Sequence, residues 1–239
     1  ELVKIPDIIG EGFSGTFKSI GIVIILGALV GTLLEKTGAA LKMADVVVKL
    51  VGKNHPEAAM LIMGWIVSIP VFCDSGFVIL NPIRKALVKR TGRSSVATTV
   101  ALSMGLYISH CFIPPTPGPI AAANTLFEQG LGQEANLLLV MGVGAAASIL
   151  PLIAGYVYAL NIGKRVKAND EADMMQDGEV VQTYEELVAS YGKLPGAAMS
   201  FSPIVVPILL MGLASALSMA KINVPFIAFL GKPIIALAV

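Results

Sequence analysis

Residues Ser94 to Phe127 read SSVATTVALSMGLYISHCFIPPTPGPIAAANTLF, a run of 34 residues without a Lys, Arg, Asp or Glu. As one straight helix at about 1.5 Å per residue it would be about 51 Å long, against a hydrocarbon core of about 30 Å. The run must therefore break. It does so at Ile113–Pro119 (IPPTPGP), where four prolines remove backbone donors and restrict the residues before them. The expectation is a discontinuous helix over 96–127, with half-helices Val96–Phe112 and Ile120–Leu126 joined by an unwound linker at membrane depth.

The neighbouring segment has the same character. Ala58–Ile83 is apolar except for the island Pro70–Gly76 (PVFCDSG), which leaves two limbs too short to cross separately. Lys36, Lys42, Lys49 and Lys53 lie upstream, and Arg84, Lys85, Lys89, Arg90 and Arg93 lie downstream. Basic loops face the cytoplasm, so both ends belong on that side and residues 58–87 read as a re-entrant hairpin. Ser19–Leu34, Ala135–Ile162 and Pro203–Ala220 read as ordinary spans, the first slightly short. Gly27 and Gly31 have the spacing of a close helix contact. Residues 36–53 place Lys42, Asp45, Lys49 and Lys53 opposite Leu41, Val47, Val48 and Val51, the pattern of an amphipathic helix on the cytoplasmic surface. Residues 163–201, with an acidic stretch and Tyr184, Leu187, Val188 and Tyr191 on one helical face, read as a cytoplasmic linker. Residues 202–239 are expected to hold further, truncated transmembrane helices.

Composition agrees with this organisation. Of 239 residues 55% are hydrophobic and 14% charged, and mean hydropathy is +0.80. That is an all-α integral membrane protein, multi-pass in a plasma (bacterial inner) membrane with the lipid bilayer as its solvent, and a soluble enzyme is excluded. A net charge of +1 gives no reason to expect nucleic acid as a partner. Cys73 and Cys111, each inside an apolar run, read as packing residues, with no metal site and no cofactor. The chain begins at Glu1 without Met, shows no recognisable signal peptide and ends inside an apolar stretch, so it is expected to be a fragment of something longer.

Two broken helices expose half-helix N-termini, whose unpaired N–H groups and partial positive charge bind anions. The second hairpin limb starts just after Asp74, Ser75 and Gly76, and the second half-helix starts at Pro119. If the breaks meet, both starts converge on one cavity, as in secondary transporters of anionic substrates. The alternative is two unrelated kinks. Asp74 is the sole charged residue between Glu57 and Arg84, and an intramembrane acid is a functional residue by default. Asp74 and His110 are the proton-coupling candidates. Ser75, Asn81, Ser109, His110, Thr116 and Asn124 offer donors and acceptors suited to hydroxyl groups. Gly76, Pro117 and Gly118 complete the set of substrate-binding candidates, since glycine lets backbone approach a ligand. An intramembrane enzyme using Ser109, His110 and Asp74, and a non-transporting channel or scaffold, are the competing readings. Adjacent Ser and His rarely face one another on a helix.

Phe72–Pro82 (FCDSGFVILNP), Ser109–Pro119 (SHCFIPPTPGP) and Gly31–Ala40 (GTLLEKTGAA) resemble the gluconate permease family of the ion transporter superfamily. The likeness covers nearly the whole chain. It implies one half of an inverted-repeat transporter, with a hairpin and a broken helix in each repeat, that imports gluconate or a related sugar acid or hydroxy acid with protons and works as a homodimer. The present chain matches the first repeat. Two positions depart from the family pattern, Asp74 where Glu is usual and Thr116 where His is usual.

Overall fold

Hydrocarbon offers backbone no hydrogen bonds, so a chain of this composition has to satisfy its N–H and C=O groups within helices. In a computed structural model, which describes residues 4–52, 55–130, 136–168, 186, 189 and 191–239, the described elements are helices. They are α1 (Ile5–Thr16), α2 (Ile22–Lys36), α3 (Ala39–Val51), α4 (Pro56–Val67), α5 (Cys73–Thr91), α6 (Ser95–Phe112), α7 (Pro117–Gly130), α8 (Leu137–Arg165), α9 (Ala197–Met219), α10 (Pro225–Leu230) and α11 (Pro233–Ala238). A π-turn at Phe17–Gly21 joins α1 to α2, so the expected short first span continues toward the N-terminus. Ser95–Phe127, Leu137–Arg165 and Ala197–Met219 are long and apolar enough to cross a membrane.

The ends of the helices are set by local chemistry. Gly38, in the left-handed region at φ 71°, ends α2 and lets α3 leave at 75° to it. Ser94 accepts from the Ala97 N–H at 3.2 Å and Asn136 from the Leu139 N–H at 3.1 Å, capping α6 and α8. Both breaks are shorter than the sequence implied. α5 begins at Cys73, which places Asp74, Ser75 and Gly76 in its first turn and leaves Ser68–Phe72 as the tip. α7 begins at Pro117, so only residues 113–116 are unwound. The reason is the same at both places: the first helical turn has no N–H to satisfy, and proline or a polar residue fits there without loss. α9 likewise starts at Ala197 and carries Pro203 and Pro207 inside it.

α4 lies at the centre, packed on α3, α5, α6 and α8. Its Met60 and Met63, with Met43, Leu34, Leu80, Leu102 and Leu106, are completely or almost completely buried. Glycine brings the backbones together: a Cβ on Gly105 of α6 would collide with the Leu61 carbonyl, and one on Gly64 of α4 would stand 2.7 Å from the Leu102 carbonyl oxygen. The Trp65 indole donates to the Ser148 hydroxyl at 3.1 Å and ties α4 to α8. The apolar face of α3, including Leu41, Val47 and Val48, is buried against this core, where the sequence pattern alone suggested a helix lying on lipid. Beyond α9, α10 and α11 are six residues each, and α11 packs back on α9 and α2. Lys53, Tyr184, Leu187 and Val188 lie outside the described residues; Tyr191 is exposed and stands close to Gly38.

Candidate functional site

The hairpin tip and the proline break border the same crevice. Pro70 and Phe72 of the tip, Pro115, Thr116 and Pro117 of the break, Val23 and Gly27 of α2 and Leu237 of α11 line it. The glycine pair of α2, whose spacing alone implied plain packing, seats the tip. A Cβ on Gly27 would be 3.0 Å from the Pro70 carbonyl oxygen, and one on Gly31 would be 3.0 Å from a Val71 methyl. Inside the tip, the Ser68 hydroxyl donates to the Val71 carbonyl at 3.1 Å. Across the crevice the Thr116 hydroxyl donates to the Ile113 carbonyl at 2.6 Å, occupying an acceptor that the end of α6 leaves free. α8 clamps the break from outside, since a Cβ on Gly144 would collide with the Phe112 carbonyl.

His110, half-buried one turn before the break, tilts its ring against Phe72 at a centroid separation of 5.4 Å and lies within electrostatic reach of Asp74. The two breaks therefore share a residue-to-residue contact. Among the described residues, the buried Ser109 Oγ and His110 Nδ1 have no hydrogen-bond partner. Such groups are costly to leave unsatisfied, so a site that retains two of them has a use for them. They do not bond to each other either, which removes the nucleophile–base pair an enzyme would need.

The remaining candidates are spread out. Asp74 is exposed on the surface of this half, with the Cys73 thiol 3.7 Å from its Oδ1, and Ser75 is half-buried. Gly76 faces α6, where a Cβ would stand 2.6 Å from a Leu106 methyl. Gly118 is exposed with open space around it. Asn124 is half-buried on α7, about 10 Å along the helix from Pro117. Asn81 lies about 12 Å down α5 from its start. Its side-chain oxygen accepts from Arg84 Nε at 2.8 Å, and the buried Arg84 reaches Ser95 Oγ at 2.8 Å. Sequence reasoning missed Phe72, Pro70, Pro115 and Gly27. The signal for Gly27 was its i,i+4 partner Gly31, but which element would fill that groove was not in the spacing.

The crevice holds about 10 Å³, at the lower limit for one water and far too little for a sugar acid. A cavity of about 240 Å³ lies at the turn from α9 to α10, beside Ser218, Lys221 and Asn223, and none of the candidate residues lines it. Among the described residues no three His, Cys, Asp or Glu side chains come together to hold a metal, and Cys73 and Cys111 are free thiols.

Comparison with known proteins agrees with this geometry. The model of the GntP family permeases matches residues 1–239. An uncharacterised permease of Haemophilus influenzae is 39% identical over 96% of this chain and 48% of its own length. An L-idonate transporter of Escherichia coli is 28% identical over 96% of this chain and 49% of its own. A high-affinity gluconate transporter of the same organism is 27% identical over 98% and 51%. The chain thus spans about half the length of the curated relatives it matches, and no solved structure matches it. With its apolar helices and a family match over its whole length, the chain is a multi-pass membrane protein, of the inner membrane in bacteria, and belongs to the GntP family of permeases.

Proposed function

We propose that this chain is one half of an inverted-repeat, proton-coupled importer of gluconate or a related sugar acid or hydroxy acid, with residues 56–91 as a re-entrant hairpin and residues 95–130 as the broken helix. The observation that carries the proposal is the meeting of the two breaks, where the starts of α5 and α7 border one crevice beside Ser109 and His110, whose buried polar atoms have no partner. Relatives that carry the names gluconate transporter and L-idonate transporter support an acidic sugar as the substrate class.

In this reading the substrate carboxylate sits between the two half-helix N-termini, where N–H groups are available at no cost in reorganisation. Ser109, His110 and Ser75 take hydroxyl groups, and Gly118 allows close approach of the chain. Asp74, with His110 beside it, carries the coupling proton: a carboxylate next to an anion is repelled unless protonated, so proton and substrate bind together. The tip must part from the break to admit a ligand, because the crevice is closed to anything larger than water. A second half of comparable length completes the cavity, and a homodimer is the expected assembly.

The test is a binding screen on the full-length protein with gluconate, other aldonates and small hydroxy acids, followed by uptake into vesicles with and without a proton gradient. Saturable uptake that collapses with the gradient is the expected result. Uptake without saturation would mark a channel. Binding without uptake would mark a scaffold or receptor.

A further inference from the structure

α5 runs from the hairpin tip to the basic turn at 90–93, and α6 runs from that turn back to the proline break. The two helices pack side by side, with Leu106 against Gly76. Their outward faces carry an unusual set of residues for a membrane. On α6 they are Thr99, Ser103, Tyr107 and Cys111 at four-residue steps, with His110 on the same face; Tyr107 is 63% exposed. On α5 they are Asp74, Asn81, Lys85 and Lys89, spaced to share one side. α8 makes the contrast. Its outward residues Leu139, Val143, Leu150, Ile153 and Val157 are all apolar, and Ile153 is 58% exposed, nearly as much as Tyr107. α8 has the surface of a helix against lipid, whereas the α5–α6 face places a carboxylate, an amide, an ammonium, three hydroxyls and an imidazole along one track.

We infer that the outward face of α5 and α6 lines a water-filled passage from Asp74 and His110 to the basic end of the hairpin, and that the anionic substrate takes this route. The inference rests on the transporter reading above and names residues of that route, Thr99, Ser103, Tyr107 and Cys111, which the site description did not include. Asp74 cannot be hydrated by acyl chains, so its outward position requires water or protein. Hydroxyls at successive turns replace water around a polyol step by step. The basic side chains Lys85, Lys89, Arg90 and Arg93 gather at the mouth, where one sign of charge raises the local concentration of an anion.

Thiol accessibility tests this in the full-length protein. The variants Thr99→Cys, Ser103→Cys and Tyr107→Cys, and native Cys111, are each prepared with the other native cysteines replaced and exposed in inside-out vesicles to methanethiosulfonate ethylsulfonate, an anionic reagent that needs water to reach a thiol. Val143→Cys and Ile153→Cys on α8 are the lipid controls. Modification at the α6 positions at least about tenfold faster than on α8 is expected, since reactivity follows the hydrated thiolate. Equal, slow modification on both helices overturns the inference and assigns the α5–α6 face to lipid or to the rest of the protein. Should Ser103→Cys or Tyr107→Cys fail to fold, Thr99→Cys and the native Cys111 carry the comparison. Gluconate uptake in the same vesicles separates the two ideas: uptake with unreactive α6 thiols removes the passage and leaves the transporter, whereas reactive α6 thiols without uptake of any aldonate or hydroxy acid remove the transporter and the anion's route with it.

Discussion

Asp74 and Gly118 are the most informative single residues because both are exposed on this half, so changing them disturbs little of its packing. Asn in place of Asp74 mimics the neutral acid but cannot exchange a proton. Asp74→Asn is expected to keep measurable substrate binding, lose the pH dependence of that binding and fail to accumulate substrate; concentration of substrate with unchanged dependence on the proton gradient would move the coupling role to His110 or to the other half. A Cβ on Gly118 meets nothing within 4 Å, so Gly118→Val should insert and fold normally. The same change is expected to abolish binding by filling the space above the second half-helix, and wild-type affinity in that variant would place the substrate elsewhere. The types of these residues were legible in the sequence, since an acid among apolar neighbours and a glycine among prolines both stand out. Their exposure was not, because it depends on which helix lies opposite.

At the scale of elements, the contrast with Gly118 is Gly105. Its Cβ would collide with the Leu61 backbone, which unlike a side chain cannot swing away, so Gly105→Leu should cost about 1–3 kcal/mol or more and force α4 away from α6. A fall in melting temperature in detergent, with Gly118→Val unchanged, is the expected pair of results. α3 offers a milder test. Burial pushes the Asp45 carboxyl up, but Lys49 at 2.8 Å and Lys42 at 3.4 Å outweigh it and hold it below the usual carboxylate value. A depressed folded value means stability that is present above the unfolded value of about 3.9 and lost as pH falls through the folded one. Asp45→Asn should therefore cost under about 1 kcal/mol at neutral pH, and its difference from wild type should vanish in acid. A difference that persists below pH about 3 would point to packing as the cause.

For the whole molecule the decisive question is topology. The hairpin reading requires α4 to enter and α5 to leave on one side, so engineered thiols at Gly52 and Arg90 should both be labelled from the cytoplasmic face and neither from the other. Opposite labelling would turn residues 56–91 into a true crossing and separate the two breaks. α4 is only 12 residues, about 18 Å, which does not cross a core of about 30 Å by itself. Glycine contacts at Gly64, Gly105 and Gly144 hold α4, α6 and α8 as one body, while the tip rests only in the groove of α2. Parting the tip from the break to admit substrate would therefore use the tip's contacts with Gly27 and Gly31 rather than the core.

Read alone, the sequence settled that the chain lives in a membrane, that Ser94–Phe127 must break and that the break falls in the proline cluster, because length, charge and missing backbone donors are local properties. It also placed the interruption near Pro70 and marked Asp74 and His110. The extent of each break was decided by helix ends: first turns need no N–H partners, so Cys73–Gly76 and Pro117–Pro119 joined their helices. The partner of each face was decided only in three dimensions. That α3 turns its apolar side to the core, that Gly27 and Gly31 receive the hairpin tip, and that Phe72 meets His110 across the two breaks all follow from which surfaces fit at close range. Periodicity along one segment can show that a face is apolar or small, but the shape that fills it belongs to another part of the chain.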